Sequence, residues 1–163
     1  MTGLLDIILV LLILTSFLLL GSSRLGACIR IGSLQGVLVG LLPAAGGEGL
    51  TIRILALGAA FIGLKGFVFP VLLSRALRDS NTSREADPFV GYAASLFVGI
   101  ALLAVSFWLA SRLGLAGTGS RLVVPVAFSM MMMGLFLIVA RRVAVNQVIG
   151  YLVFENGIYA FGL

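Results

Sequence analysis

Apolar runs of roughly 20 residues, separated by short clusters of charge, organise this sequence from end to end. Crossing about 30 Å of hydrocarbon at about 1.5 Å per residue takes a run of that length. Six helices are predicted on this basis. The first covers Gly3 to Leu20, the second Leu25 to Ala45 and the third Ile54 to Leu77. The fourth covers Phe89 to Ala110, the fifth Leu122 to Ala140, and the sixth starts near Asn146 and is still apolar at Leu163. Asp87-Pro88 reads as the opening of the fourth helix, an acceptor at the N-cap followed by proline at the first helical position. Pro125 is harmless in the first turn of the fifth. The fold class is therefore an all-α polytopic membrane helix bundle.

The short connections alternate in basic charge. Arg24, Arg30, Arg75, Arg78, Arg84, Arg141 and Arg142 fall at one side, and Arg53, Arg112 and Arg121 at the other. This excess makes the first side cytoplasmic and the N-terminus external. The polar segment Asp79 to Asp87 is then expected on the inner face. Composition agrees: 61% of the residues are hydrophobic and 10% charged. The net charge of +5 raises nucleic acid as a partner, but no basic patch with interleaved aromatics exists to bind one. The first apolar run lacks a basic leader and a clear small-x-small cleavage site, so it reads as a retained helix. One cysteine, Cys28, and no histidine leave no disulfide within the chain and no usual haem or transition-metal ligand set.

Two charges lie at membrane depth. Lys65 stands 12 residues after Arg53 and 10 before Arg75, too deep for easy snorkelling. A lysine at the centre of a bilayer costs about 2.5–3.5 kcal/mol on insertion scales. Pro70 donates no hydrogen bond, so the carbonyl of Gly66 loses its helical partner. Lys65 is read either as a group that gains and loses a proton beside a weakened turn, or as a static ion pair or carbonyl-capped ammonium. Glu155 lies about nine residues, roughly 13 Å, inside the sixth helix. Gln147, Tyr151, Glu155 and Tyr159 recur every four residues and form one polar stripe, which should face protein or water rather than lipid. Glu155 is read as an acid that holds its proton at rest and handles protons transiently, or as interhelical glue. Asn156 and Gln35 are candidate extensions of this path. The remaining features read as structural: Met130 to Met133 as packing, Trp108 as an interfacial anchor, Cys28 as a small buried residue and Asp6 as a solvated residue near the outer end of the first helix.

The segment "ARRVAVNQVIGYLVFENG" resembles the K subunit of bacterial complex I and the C subunit of Mrp-type antiporters. It more closely resembles hydrogenase-4 component E, a membrane subunit of group 4 hydrogenases and formate hydrogenlyase-like complexes. The lysine helix "FIGLKGFVFPVLL" and the segment "RLGACIRIGSLQGVLVGLL", with Gln35, are similar to that family too. Two departures stand out. In the complex I subunit an acid follows an "IGL" triplet directly; the equivalent position here is Leu152, and Glu155 comes three residues later, on about the same helix face. Those families also have a further helix, so the chain reads as truncated after Leu163.

The resemblance implies a non-redox subunit that contributes Glu155 and Lys65 to proton or sodium translocation. It implies no catalytic site, metal or cofactor in this chain, with iron–sulfur and nickel–iron centres only in partner subunits. Partners would be antiporter-like and complex I H-subunit-like membrane chains, and indirectly a peripheral hydrogenase arm. A redox-free cation/proton antiporter subunit and a structural spacer between larger membrane subunits stay open as alternatives. "SRLGACIRIGSL" and "RRVAVNQVIGYL" align with Arg24 on Arg142, Ile31 on Ile149 and Gly32 on Gly150. This suggests a tandem three-helix repeat: residues 1–78 as the first module, 79–121 as a polar loop and linking helix, and 122–163 as a second module without its last helix.

The orientation is checked by single cysteines. With Cys28 replaced, cysteines at Ser80 and Gly117 should label from opposite sides of the membrane, Ser80 only after the inner face is opened. Labelling of Ser80 in intact cells would invert the assigned topology.

Overall fold

The computed structural model describes residues 2–46, 51–79, 89–113 and 120–162. Every described element is helical. The elements are α1 Thr2–Gly21, α2 Leu25–Ala45, α3 Ile52–Asp79, α4 Tyr92–Leu113, α5 Val123–Ala140 and α6 Ala144–Phe161. Helices α1 to α5 are long and apolar enough to cross a membrane. Helix α6 carries Asn146, Gln147, Glu155 and Asn156 and packs along α5. The outer faces are strongly apolar, with Ile52, Phe67, Phe97 and Val139 among the most exposed side chains. Such surface would be a liability in water and suits lipid, so the chain is a multi-pass helical membrane protein.

The core runs between α1, α2, α5 and α6, with α3 laid against α2 and α4 against α1 and α5. In α1 the buried positions Leu5, Ile8, Leu9, Leu12, Thr15, Ser16, Leu19 and Leu20 follow helical spacing and turn one stripe inward. Lipid tails are as apolar as leucine, so close backbone approach has to hold helices together inside a bilayer. Two helix pairs achieve it with glycine. On α5 a Cβ at Gly134 would lie 2.5 Å from Phe154 N and 2.7 Å from Gly150 O of α6. On α2 a Cβ at Gly40 would lie 3.0 Å from Gly58 O, and one at Gly36 only 2.6 Å from Lys65 Cβ. The aligned glycines of the suggested repeat differ in surroundings: Gly150 is in this tight seam, whereas Gly32 meets only Ile149 Cγ2, at 3.9 Å.

Three expectations change. The fourth helix begins at Tyr92 rather than at Phe89, with Ser95 N bonded to Gly91 O at 2.8 Å and Phe89 N turned instead to Ala140 O at 3.2 Å. Asp87 and Pro88, the expected cap, lie outside the described residues. Arg141 does not serve as an interfacial charge. It is 1% exposed, donates through Nη2 to Leu20 O at the C-terminus of α1, and sits 4.4 Å from the Tyr92 ring. A cation suits the negative end of a helix, so Arg141 ties the α5–α6 corner to α1. Asp6, expected to be solvated, is half-buried and accepts a hydrogen bond from Ser120 Oγ. Of the residues read as structural, Met130 and Met133 are fully buried and Cys28 is buried; Trp108 is exposed, with the Arg112 guanidinium 5.6 Å from its ring.

Gly134→Ala should test the glycine seam. Backbone atoms on α6 cannot yield as a flexible side chain would, so a loss of roughly 1–3 kcal/mol is expected, read as a lower Tm in detergent. Gly26→Ala, where a Cβ meets nothing within 4 Å, should stay within about 0.5 kcal/mol of the parent.

Candidate functional site

Lys65 lies near the middle of α3, and the backbone around it is not α-helical. Residues Ile62–Val68 form a π-helical stretch, closed by Phe69 N bonding back to Leu64 O. Pro70 explains part of this, since it cannot donate to Gly66 O. That carbonyl is not left bare: Ser33 Oγ on α2 donates to it at 2.6 Å. Widened turns of this kind are rare and frequently mark functional positions. The glycine at position 36 gives the Lys65 side chain its place, because any larger residue there would collide with Lys65 Cβ.

From this turn Lys65 Nζ reaches α6. It donates to Asn156 Oδ1 at 2.7 Å, lies 3.3 Å from Glu155 Oε1, and sits 5.0 Å from the centre of the Phe61 ring. Asn156 Nδ2 donates in turn to Gln35 Oε1 at 3.4 Å on α2. Gln35 Nε2 donates to Ser16 Oγ at 3.0 Å on α1, and Ser16 Oγ donates to Leu12 O at 2.8 Å. Thr15 Oγ1 lies 3.4 Å from Gln35 Nε2. Four helices thus contribute to one polar chain through the apolar core.

The chain has a direction and two unlike ends. Gln35, Asn156 and Ser16 are fully buried, and each passes its hydrogen bond inward until the series ends on a backbone carbonyl of α1. At the other end the Lys65 side chain is 4% exposed but that of Glu155 is 41% exposed. Carboxamides donate and accept hydrogen bonds without changing protonation near neutral pH. Asn156 and Gln35 therefore brace the lysine, and the members of this polar chain with an ionisable side chain of opposite charge are Lys65 and Glu155.

The predicted stripe on α6 divides. Glu155 meets Lys65, but Gln147 is exposed and turns back to Arg141 O at 3.0 Å. Tyr151 is 56% exposed, and Tyr159 is half-buried with its ring 4.3 Å from that of Phe61. The buried polar face of α6 is instead that of Asn146 and Asn156. Thr15, Ser16 and Ser33 were not foreseen as members. Thr15-Ser16 is the one polar pair inside "LLILTSFLLL", which is the signal that would have found them.

With that geometry in view, one relative is informative. The uncharacterized protein Rv0085 of Mycobacterium tuberculosis (strain ATCC 25618 / H37Rv) is 32% identical over 152 residues, an alignment covering 91% of this chain and 69% of that protein. The chain belongs to the same family. No family profile matches it, and neither does any solved structure.

Asn156→Leu should strand one Lys65 donor and Gln35 Oε1 in the core, at about 1–3 kcal/mol for each buried group left unsatisfied. The expected result is a clear fall in Tm, with Tyr151→Phe unchanged within about 0.5 kcal/mol. Equal losses from the two substitutions would mean that the outer stripe, not the buried chain, carries the site.

Proposed function

We propose that this chain is a non-redox membrane subunit of a complex I-like group 4 hydrogenase, of the hydrogenase-4 component E type, in which Lys65 and Glu155 take part in proton or sodium translocation. The observation that carries the proposal is the 3.3 Å approach of Lys65 Nζ to Glu155 Oε1 across two helices at membrane depth. Intramembrane ionisable residues are costly and are retained chiefly for function. A small side-chain movement brings the pair into hydrogen-bond reach. One proton then passes from the ammonium to the carboxylate, leaving a neutral amine and a neutral acid.

The buried side of Lys65 ends in amides and backbone carbonyls, so the outlet from the pair is lateral, through half-exposed Glu155. A neighbouring membrane subunit, antiporter-like or complex I H-subunit-like, would continue the path from that face. In the proposed setting the N-terminus is external to a bacterial or archaeal cytoplasmic membrane, and the redox centres belong to partner subunits.

The second reading is a spacer in which the pair is a fixed pin. The amide bracing of Lys65 favours it, because a brace of that kind also holds a static charge.

Glu155→Gln separates the two. It keeps the size and hydrogen bonding of the protonated acid but exchanges no proton. The complex should assemble and retain its electron-transfer chemistry, while ion translocation in membrane vesicles falls by at least roughly 100-fold. Glu155→Asp should keep partial activity, having the titratable group with a shorter reach. Full translocation by Glu155→Gln would leave the spacer as the better account.

A further inference from the structure

A groove of about 690 Å³ opens between the start of α2 and the end of α3. Arg30 reaches it from α2, and Arg75 and Arg78 reach it from one face of α3. All three are exposed. Arg30 Nε donates to Gly26 O at 3.3 Å, and no ion pair among the described residues engages any of the three. A single acid, Asp79, stands among the lining residues. Three guanidinium forks facing one cleft with so little compensating charge fit a phosphate, which they can hold bidentately.

The other walls give the rest of the ligand. The groove lies at the arginine-rich end of the spans, where headgroups sit. Its α3 wall includes Val71, 65% exposed, and next to it in sequence stands Leu72, 56% exposed, an apolar surface suited to an acyl chain. Ser33 and Ser74 add hydroxyls to the lining. A polar, cationic head region that merges into an apolar outer wall matches an amphiphile, not a free anion.

We propose that this groove binds the phosphodiester headgroup of an anionic phospholipid, with one acyl chain lying along the outer face of α3. Basic clefts between membrane helices at the headgroup level take such lipids. The site also touches the machinery at Lys65. Ser33 lines the groove and donates to Gly66 O, and Pro70, just past the π-helical stretch, lines it too. A bound headgroup therefore rests against the segment that positions the lysine.

The full-length chain, extracted from membranes and exchanged into detergent, is to be examined by native mass spectrometry after incubation with phosphatidylglycerol or with phosphatidylcholine of identical chains. Phosphatidylglycerol should be retained with a selectivity of roughly 100-fold, from the contribution of three arginines. The R30Q/R75Q/R78Q variant should lose that selectivity while melting at the parent temperature, and R112Q, at the opposite end of the spans, should keep it. Equal retention of the two lipids, or undiminished selectivity in the triple variant, would overturn the proposal. So would displacement of the lipid by millimolar inorganic phosphate, which would identify the ligand as a free phosphate.

Discussion

A lysine nitrogen at bilayer depth has to be surrounded by acceptors, because there is no water to serve it. Much of the fold answers this demand on Lys65. Gly36 and Gly40 let α2 come close enough for its polar side chains to reach α3. Pro70 and the widened turn alter the backbone around the lysine, and Ser33 satisfies the carbonyl that this leaves over. The glycine seam of α5 and α6 sets α6 at the depth and rotation that present Asn156 and Glu155 together. Arg141 then fixes that hairpin to the end of α1, the helix whose Ser16 and Thr15 close the polar chain.

The choice of cation is chemically selective. Lys65 is the only lysine in the sequence; every other basic side chain is arginine. Arginine stays protonated in proteins, whereas lysine can release its proton when its surroundings require it. The arginines among the described residues stand at or near the ends of helices, where Arg141 holds the terminus of α1 and Arg30, Arg75 and Arg78 line the basic groove. The one base able to change state stands in the middle, 3.3 Å from the acid at mid-depth of α6.

The helix content was legible from apolar run lengths alone, since spans such as Leu25–Ala45 and the end of α5 at Ala140 follow directly from where charge and glycine interrupt the runs. The two central charges were legible for the same reason: no other Asp, Glu, Lys or Arg stands as far inside a predicted span. The connections between helices were less so. A four-residue period correctly put Gln147, Tyr151, Glu155 and Tyr159 on one side of α6, but period does not say which neighbour that side meets. The seam that matters is set by Gly134 on α5 with Gly150 and Gly157 on α6, and it turns Asn156 inward while leaving Tyr151 outside. Arg141 misled for a related reason. Next to exposed Arg142 it looks like a second interfacial charge, and only the position of the α1 terminus gives it a buried acceptor. The proline at position 70 announced a free carbonyl but not the serine that fills it, which comes from a different helix.

Because the chain has a single lysine, its side chain can be observed alone. Selective ¹⁵Nζ-lysine labelling of the full-length protein in lipid bilayers gives one side-chain amine signal, assigned by its disappearance in Lys65→Met. If Lys65 and Glu155 form one proton-exchanging unit, that signal titrates with pH, and Glu155→Gln shifts both its frequency and its midpoint while Tyr151→Phe leaves them in place. A signal whose frequency and titration are the same in the parent and in Glu155→Gln would show that the lysine does not sense the acid, and would contradict the account at its centre.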